Sequence, residues 1–171
     1  MFTKKMEKAL NDQVNAELFS SYLYLAMSAW FVRKNLPGFA HWMYIQTQEE
    51  ATHGMMLFNF INERGGTADL KAIAKPEADW KDPIEVFDAV LKHEQKVTGL
   101  INNLVDIAIQ EKDHASNQKL QWFVSEQVEE ESNATEILEQ LKIIEGKGQG
   151  LLLMDRELKA RVFVNPMTEG A

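Results

Sequence analysis

The sequence predicts an all-α chain: a four-helix bundle with one long crossover connection and a short fifth C-terminal helix. Three observations predict it. Apolar residues recur every three to four positions over four long stretches. The prolines, Pro37, Pro76, Pro83 and Pro166, all fall at junctions between those stretches or beyond them. Two of the three joints between long stretches are short and the middle one is long.

The first stretch, residues 3 to about 35, has no proline or glycine and places Leu10, Val14, Leu18, Ser21, Leu25 and Ser28 at helical spacing. Leu36-Pro37-Gly38 breaks it. The second, residues 39 to 64, carries Phe39, Trp42, Met43, Gln46, Met56, Leu57 and Phe60, and Gly65-Gly66 ends it. Residues 67 to 81 show no period and are expected to be irregular. Asp82-Pro83-Ile84-Glu85 then reads as a helix start, with Asp82 as cap, Pro83 in the first turn and Glu85 closing a capping box.

The third helix carries Phe87, Val90, Leu91, Val97, Ile101, Leu104 and Ala108. Asp113 caps the fourth, whose apolar face is Leu120, Phe123, Val124, Ala134, Ile137, Leu138 and Leu141. Gly146, Gly148 and Gly150 stop it, a short amphipathic helix follows from about 150 to 163, and Pro166 begins the tail. Four helices, each about 40 Å long at 1.5 Å per residue, pack best side by side. The short joints make the first and second, and the third and fourth, antiparallel neighbours. The middle connection is long enough to cross the bundle, so the second and third run parallel. The whole chain, 1–171, is read as one domain, with the bundle spanning about 3–145.

Composition narrows the chemistry. With no cysteine among 171 residues, thiolate metal sites, iron–sulfur clusters and cysteine nucleophiles are excluded. A net charge of −8 disfavours nucleic acid and anionic membranes as partners and favours cations. No stretch approaches the roughly 20 apolar residues that span a bilayer, and the polar N-terminal residues lack a signal-peptide core, so a cytoplasmic protein is expected.

Chemistry is carried by what interrupts the apolar stripes. Glu17 sits between Val14 and Ser21, and Glu50 and His53 lie between Gln46 and Leu57. Glu94 lies between Leu91 and Val97, and Gln127 and Glu130 lie between Phe123 and Ala134. Each interruption falls near the middle of its helix, so a packed bundle brings all four to one level. An unpaired ionised carboxylate in an apolar site costs several kcal/mol, and four would exceed the 5–15 kcal/mol by which a typical domain is stable. No Lys or Arg falls on these stripes near mid-helix. Two divalent cations balance the four glutamates, and neutral His53 adds a nitrogen ligand. Di-iron carboxylate bundles are known to use one Glu from each of two helices and a Glu-x-x-His from each of the other two; here the second motif reads Gln127-x-x-Glu130. Mostly hard oxygen with one imidazole suits iron or manganese better than zinc, magnesium or calcium.

Glu17, Glu50-Ala51-Thr52-His53, Glu94 and Gln127-Val128-Glu129-Glu130 together resemble the ferroxidase centre of bacterial non-haem ferritins, and the resemblance runs over nearly the whole chain. It implies that Glu17, Glu50 and His53 hold a first iron. Glu50 would bridge to a second, held by Glu94 and Glu130 with Gln127 alongside. Glu49, Glu126 and Glu129 would form a third iron site sharing Glu130, with Tyr24 and Trp122 close by. It also implies a hollow homo-oligomeric shell of 24 subunits that takes Fe²⁺ and O₂ and stores ferric mineral.

Departures sharpen the resemblance. The haem-ligating Met of bacterioferritins would stand at Thr52, so no haem is expected. Acidic pore positions of animal ferritins fall near Asn117 and Leu120, which cannot supply that chemistry. The neutral amide of Gln127 predicts a loosely held second iron. His41, His93 and His114 are expected at the surface. The alternatives are a di-iron carboxylate oxidase acting on an organic substrate, which would need a lasting cavity beside the ligands, and a non-catalytic helical interaction protein whose carboxylates are solvated.

Overall fold

The computed structural model describes residues 2–168. Five helices form: α1 Lys4–Arg33, α2 Pro37–Glu63, α3 Pro83–Gln110, α4 His114–Ile143 and α5 Gly148–Leu158. Their starts follow from local chemistry. The Thr3 hydroxyl accepts a 3.2 Å hydrogen bond from the Met6 amide, and Asp82 accepts one of 2.9 Å from that of Glu85. Asp113 accepts from the Ser116 amide and pairs with Arg64 at 3.0 Å, which ties the end of α2 to the start of α4. Both short joints turn on a left-handed residue, Asn35 (φ 57°) and Lys112 (φ 53°).

α2 is capped from far away. Leu36 at its N-cap offers no side-chain acceptor. Instead Asp155 of α5 accepts from the Gly38 amide at 2.8 Å and the Phe39 amide at 3.0 Å. That approach needs glycine, because a Cβ on Gly38 would lie 1.5 Å from the Asp155 carbonyl oxygen. α5 is thereby docked on the head of α2. It ends at Leu158 rather than near 163. The amphipathic segment expected to reach about 163 therefore overruns the helix, and residues 161–165 are non-helical.

The crossover, residues 64–82, has no regular structure and lies along α1. Thr67 donates to Glu7 near one end of α1, the Ala72 carbonyl accepts from Asn15, and the Ala78 carbonyl accepts from Arg33 at the other end. The connection therefore runs the length of the bundle, and α3 starts at the end where α2 started. Parallel α2 and α3 follow directly.

The core has two apolar clusters. One is rich in aromatics, including Trp30, Phe31, Phe39, Trp42, Trp80 and Phe87. The other is mainly aliphatic, including Met6, Leu10, Leu57, Ile61, Ile101 and Leu120. Between them lies a buried polar layer: Glu17, Ser20, Gln46, Glu50, His53, Glu94, Gln127 and Glu130. One phase differs from the sequence expectation. In the middle of α1 the buried residue is Tyr24, while Leu25 is 41% exposed.

Candidate metal centre

Each helix of the bundle sends side chains into this layer. Ligand atoms of Glu17, Glu50 and His53 all lie within 4.8 Å of one another. All three residues are at most 3% exposed. The spacing from Glu50 to His53 is one helical turn, which puts both on one face, and His53 Nδ1 lies 3.7 Å from a Glu50 oxygen. The imidazole is held edge-on by Trp122 and Phe123, with ring centroids 5.3 and 6.0 Å away. Gln13, one turn before Glu17, donates to its carboxylate at 2.8 Å.

Glu94 and Glu130 enter from α3 and α4. Tyr24 donates its phenolic hydrogen to Glu94. Gln127 points its amide nitrogen at the same carboxylate, 3.3 Å away. Glu130 accepts from Gln46 at 2.7 Å. The other atom of that amide, Gln46 Oε1, is buried without a hydrogen-bond partner among the described residues. A buried acceptor without a donor is a costly group.

Burial dominates the electrostatics. It pushes Glu17 up to about 7, with hydrogen bonds from Gln13 and Glu50 opposing and the Glu94 charge adding. Glu50 and Glu130 are raised well above the usual carboxylate range, first by burial and then by the charge of Glu94. Glu94 is raised by burial, against the hydrogen bonds from Tyr24 and Gln127. Tyr24 is raised for the same reason and stays a donor. His53 is lowered to about 4 by burial, so at neutral pH its imidazole is uncharged and free to act as a nitrogen donor. Among the described residues no lysine or arginine is buried. The layer is thus rich in acceptors and has no protein cation within it.

Glu49, Glu126 and Glu129 stand apart from that group. With His53 and Arg161 they line a recess of about 360 Å³ between α2, α4 and the tail. His53 joins the two regions, since its Nε2 lies 3.8 Å from Glu126. Burial raises Glu126 to about 7, helped by Glu129 and Glu49 and opposed by Arg161. Glu49 is raised by burial against the pull of Arg161, its ion-pair partner. Glu129 is exposed.

Some of these features escape a reading of helical stripes. The Gln13–Glu17 pair has i, i+4 spacing and was visible in principle. Arg161 falls at the end of the segment expected to be the fifth helix but lies beyond the observed one, and nothing in the sequence ties it to Glu49. Two histidines differ from expectation. His41 is half-buried and donates to the Arg161 carbonyl at 2.8 Å. His93 is half-buried, pairs with the Ser20 hydroxyl at 2.8 Å, and is lowered to about 4 by burial and by Lys96. His114 is exposed.

Comparison with known proteins gives one consistent result. The ferritin profile, described as a ferritin-like domain, matches residues 7–144. A bacterial non-heme ferritin of Bacteroides fragilis is 42% identical over 161 residues, covering 94% of this chain and all of that one. One from Staphylococcus aureus is 40% identical over 163 residues, covering 95% of this chain and 98% of its own. Among solved structures, an open pore ferritin from the hyperthermophilic archaeon Archaeoglobus fulgidus superposes with a TM-score of 0.94. It is 46% identical and covers 95% of this chain and all of that one.

Proposed function

The chain belongs to the ferritin family, and from that premise we propose that it is an iron-storage subunit that binds Fe²⁺ at a dinuclear centre in its bundle and oxidises it with O₂. One observation carries the reading. Four buried carboxylates and a neutral imidazole converge in a layer that contains no protein cation. Two divalent ions balance the charge of that layer.

Iron is the substrate here, and the chain's part is to receive and release it. Glu17, Glu50 and His53 hold the first ion. Glu50 reaches towards the second, which Glu94 and Glu130 hold beside Gln127. The raised carboxylates give up protons as the metal arrives. Tyr24, Gln13 and Gln46 orient ligand oxygens through their hydrogen bonds. Each Fe²⁺ passes one electron to O₂, and Fe³⁺ moves on to a mineral core. Glu49, Glu126 and Glu129, beside His53, form a third site on the way out of the centre.

The rival, an oxidase of an organic substrate, needs space beside the ligands. Met56, Leu57 and Phe123 are buried there, at no more than 7% exposure, in the aliphatic cluster. That packing supports storage. Large exposed apolar residues on α1 and α2, namely Tyr22, Leu25, Val32, Tyr44 and Met55, support burial against further copies in a homo-oligomeric shell, which we take to be the 24-mer. We place the protein in the cytoplasm; no described helix is long and apolar enough to cross a membrane.

Repeated addition of Fe²⁺ in air tests the proposal. Storage predicts continued oxidation over many ions per subunit, with iron and protein co-eluting as a large particle on size exclusion. Oxidation that stops after about two ions per chain, or a 19.6 kDa monomer, would contradict it.

A further inference from the structure

The tail beyond α5 brings a cation, Arg161, close to the centre. Arg161 forms an ion pair with Glu49, and its guanidinium lies over the Trp42 ring, 4.4 Å from the centroid. Its backbone carbonyl is gripped by His41 at 2.8 Å. Three contacts on α2 therefore fix this one residue, although the segment around it is not helical. The guanidinium helps wall the 360 Å³ recess that also exposes Glu126, Glu129 and His53. Its charge opposes the upward shifts of Glu49, Glu126 and Glu130 together. One of its nitrogens, Nη1, is buried and has no hydrogen-bond partner among the described residues. The guanidinium is thus neither fully solvated nor fully paired. Fork-shaped donors of this kind stabilise carboxylates in place of a metal ion.

We propose that Arg161 is a tethered counter-ion of the Glu49–Glu126–Glu129 cluster, and that a third metal ion enters this cluster only by displacing the guanidinium. The inference rests on the metal reading above and goes beyond it. It assigns the tail a role in setting how tightly the outer site holds iron. With Arg161 in place, the outer carboxylates already have part of their counter-charge, so an ion there gains less than it would at a bare cluster. A weak third site passes iron on and does not trap it. The dinuclear layer has no such internal competitor and fills first.

Anaerobic calorimetric titration of the full chain with Fe²⁺ tests this. Wild type is compared with R161Q and with R161M, which keeps an apolar stem against Trp42 in case the amide disturbs the tail. The expected result is two unchanged binding events and a third that tightens roughly tenfold, the size of one charge-assisted contact removed from competition. R161K, which keeps the charge without the fork, should fall between. A third event of wild-type affinity in both neutral variants, with the first two intact, overturns the inference. Loss of the first two events in wild type as well would overturn the metal reading and this inference with it.

Discussion

Two groups of glutamates lie on either side of His53, and the fold neutralises them in opposite ways. The inner group, Glu17, Glu50, Glu94 and Glu130, is sealed between two apolar clusters and receives only neutral donors: Gln13, Tyr24, Gln127 and Gln46. The outer group, Glu49, Glu126 and Glu129, opens to a recess and has an arginine in it. Residue type is the same in both; the source of positive charge is not. A buried carboxylate layer without a cation is stable only if protons or metal ions supply the charge. An outer cluster that carries its own arginine needs neither in full. The inner group is therefore suited to filling first, and the outer group to handing metal over.

The contrast breaks most completely at Glu50. E50A removes the carboxylate proposed to reach both ions, and we expect Fe²⁺ oxidation to slow by roughly a hundredfold or more, beyond the 10–100-fold typical of losing a supporting hydrogen bond to a ligand. E129Q, on the exposed side of the outer group, should change the initial rate by less than about threefold. Stopped-flow absorbance of ferric products measures both, and equal losses would erase the distinction between the groups.

Stability should show the same difference through pH. Burial pushes Glu17 up to about 7 from its ordinary value of 4.5, and Glu50 and Glu130 are likewise raised well above theirs. A carboxylic acid with a raised folded pKa binds more protons folded than unfolded. Its contribution is full below about 4.5 and is lost as pH rises through about 7. The metal-free protein should therefore lose thermal stability between pH 5 and pH 8, by roughly 3 °C for each kcal/mol lost. A bound divalent ion should remove most of that slope. A metal-free melting temperature that is flat or rises over this range would contradict the charge-starved inner layer.

Smaller effects are expected from the residues that hold ligands in place. Q46L deletes the donor to Glu130 together with the unpartnered oxygen, and should weaken the second ion by about tenfold in the same calorimetric titration while sparing the first. Q127E adds a carboxylate beside Glu94. It should tighten the second ion several-fold, within the range of a single charged contact, and slow repeated turnover. If affinity and turnover both stay at wild-type values, Gln127 is not what loosens that site.

Much of this was legible in the sequence, because bundles write their contacts into local periodicity. Pro83 and Asp113 mark helix starts that the structure also has, whereas Pro37, expected only to break the first helix, opens α2 two residues before the expected start at Phe39. The interruptions at Glu17, Glu50, His53, Glu94, Gln127 and Glu130 all lie in the buried layer. Finer phase was harder. Tyr24 and Leu25 are both apolar enough for a core, and only packing decides that Tyr24 is buried. Contacts made by the C-terminal segment were not legible. Asp155 caps α2 from 117 residues away, and Arg161 reaches Glu49 across 112. Helical periodicity within one segment says nothing about such distant partners, which are fixed only when the C-terminal segment folds back on the bundle. His93 illustrates the same point, since its burial depends on Ser20 of a different helix.

The central claim is that the inner layer, and not the surface, takes the first two ions. Crystals exposed to Fe²⁺ without oxygen, with anomalous scattering recorded at the iron edge, test it most directly. The account predicts two strong peaks about 3.5–4 Å apart, one among Glu17, Glu50 and His53 and the other among Glu50, Glu94 and Glu130. Iron found only on exposed carboxylates, with no peak inside the bundle, would contradict it.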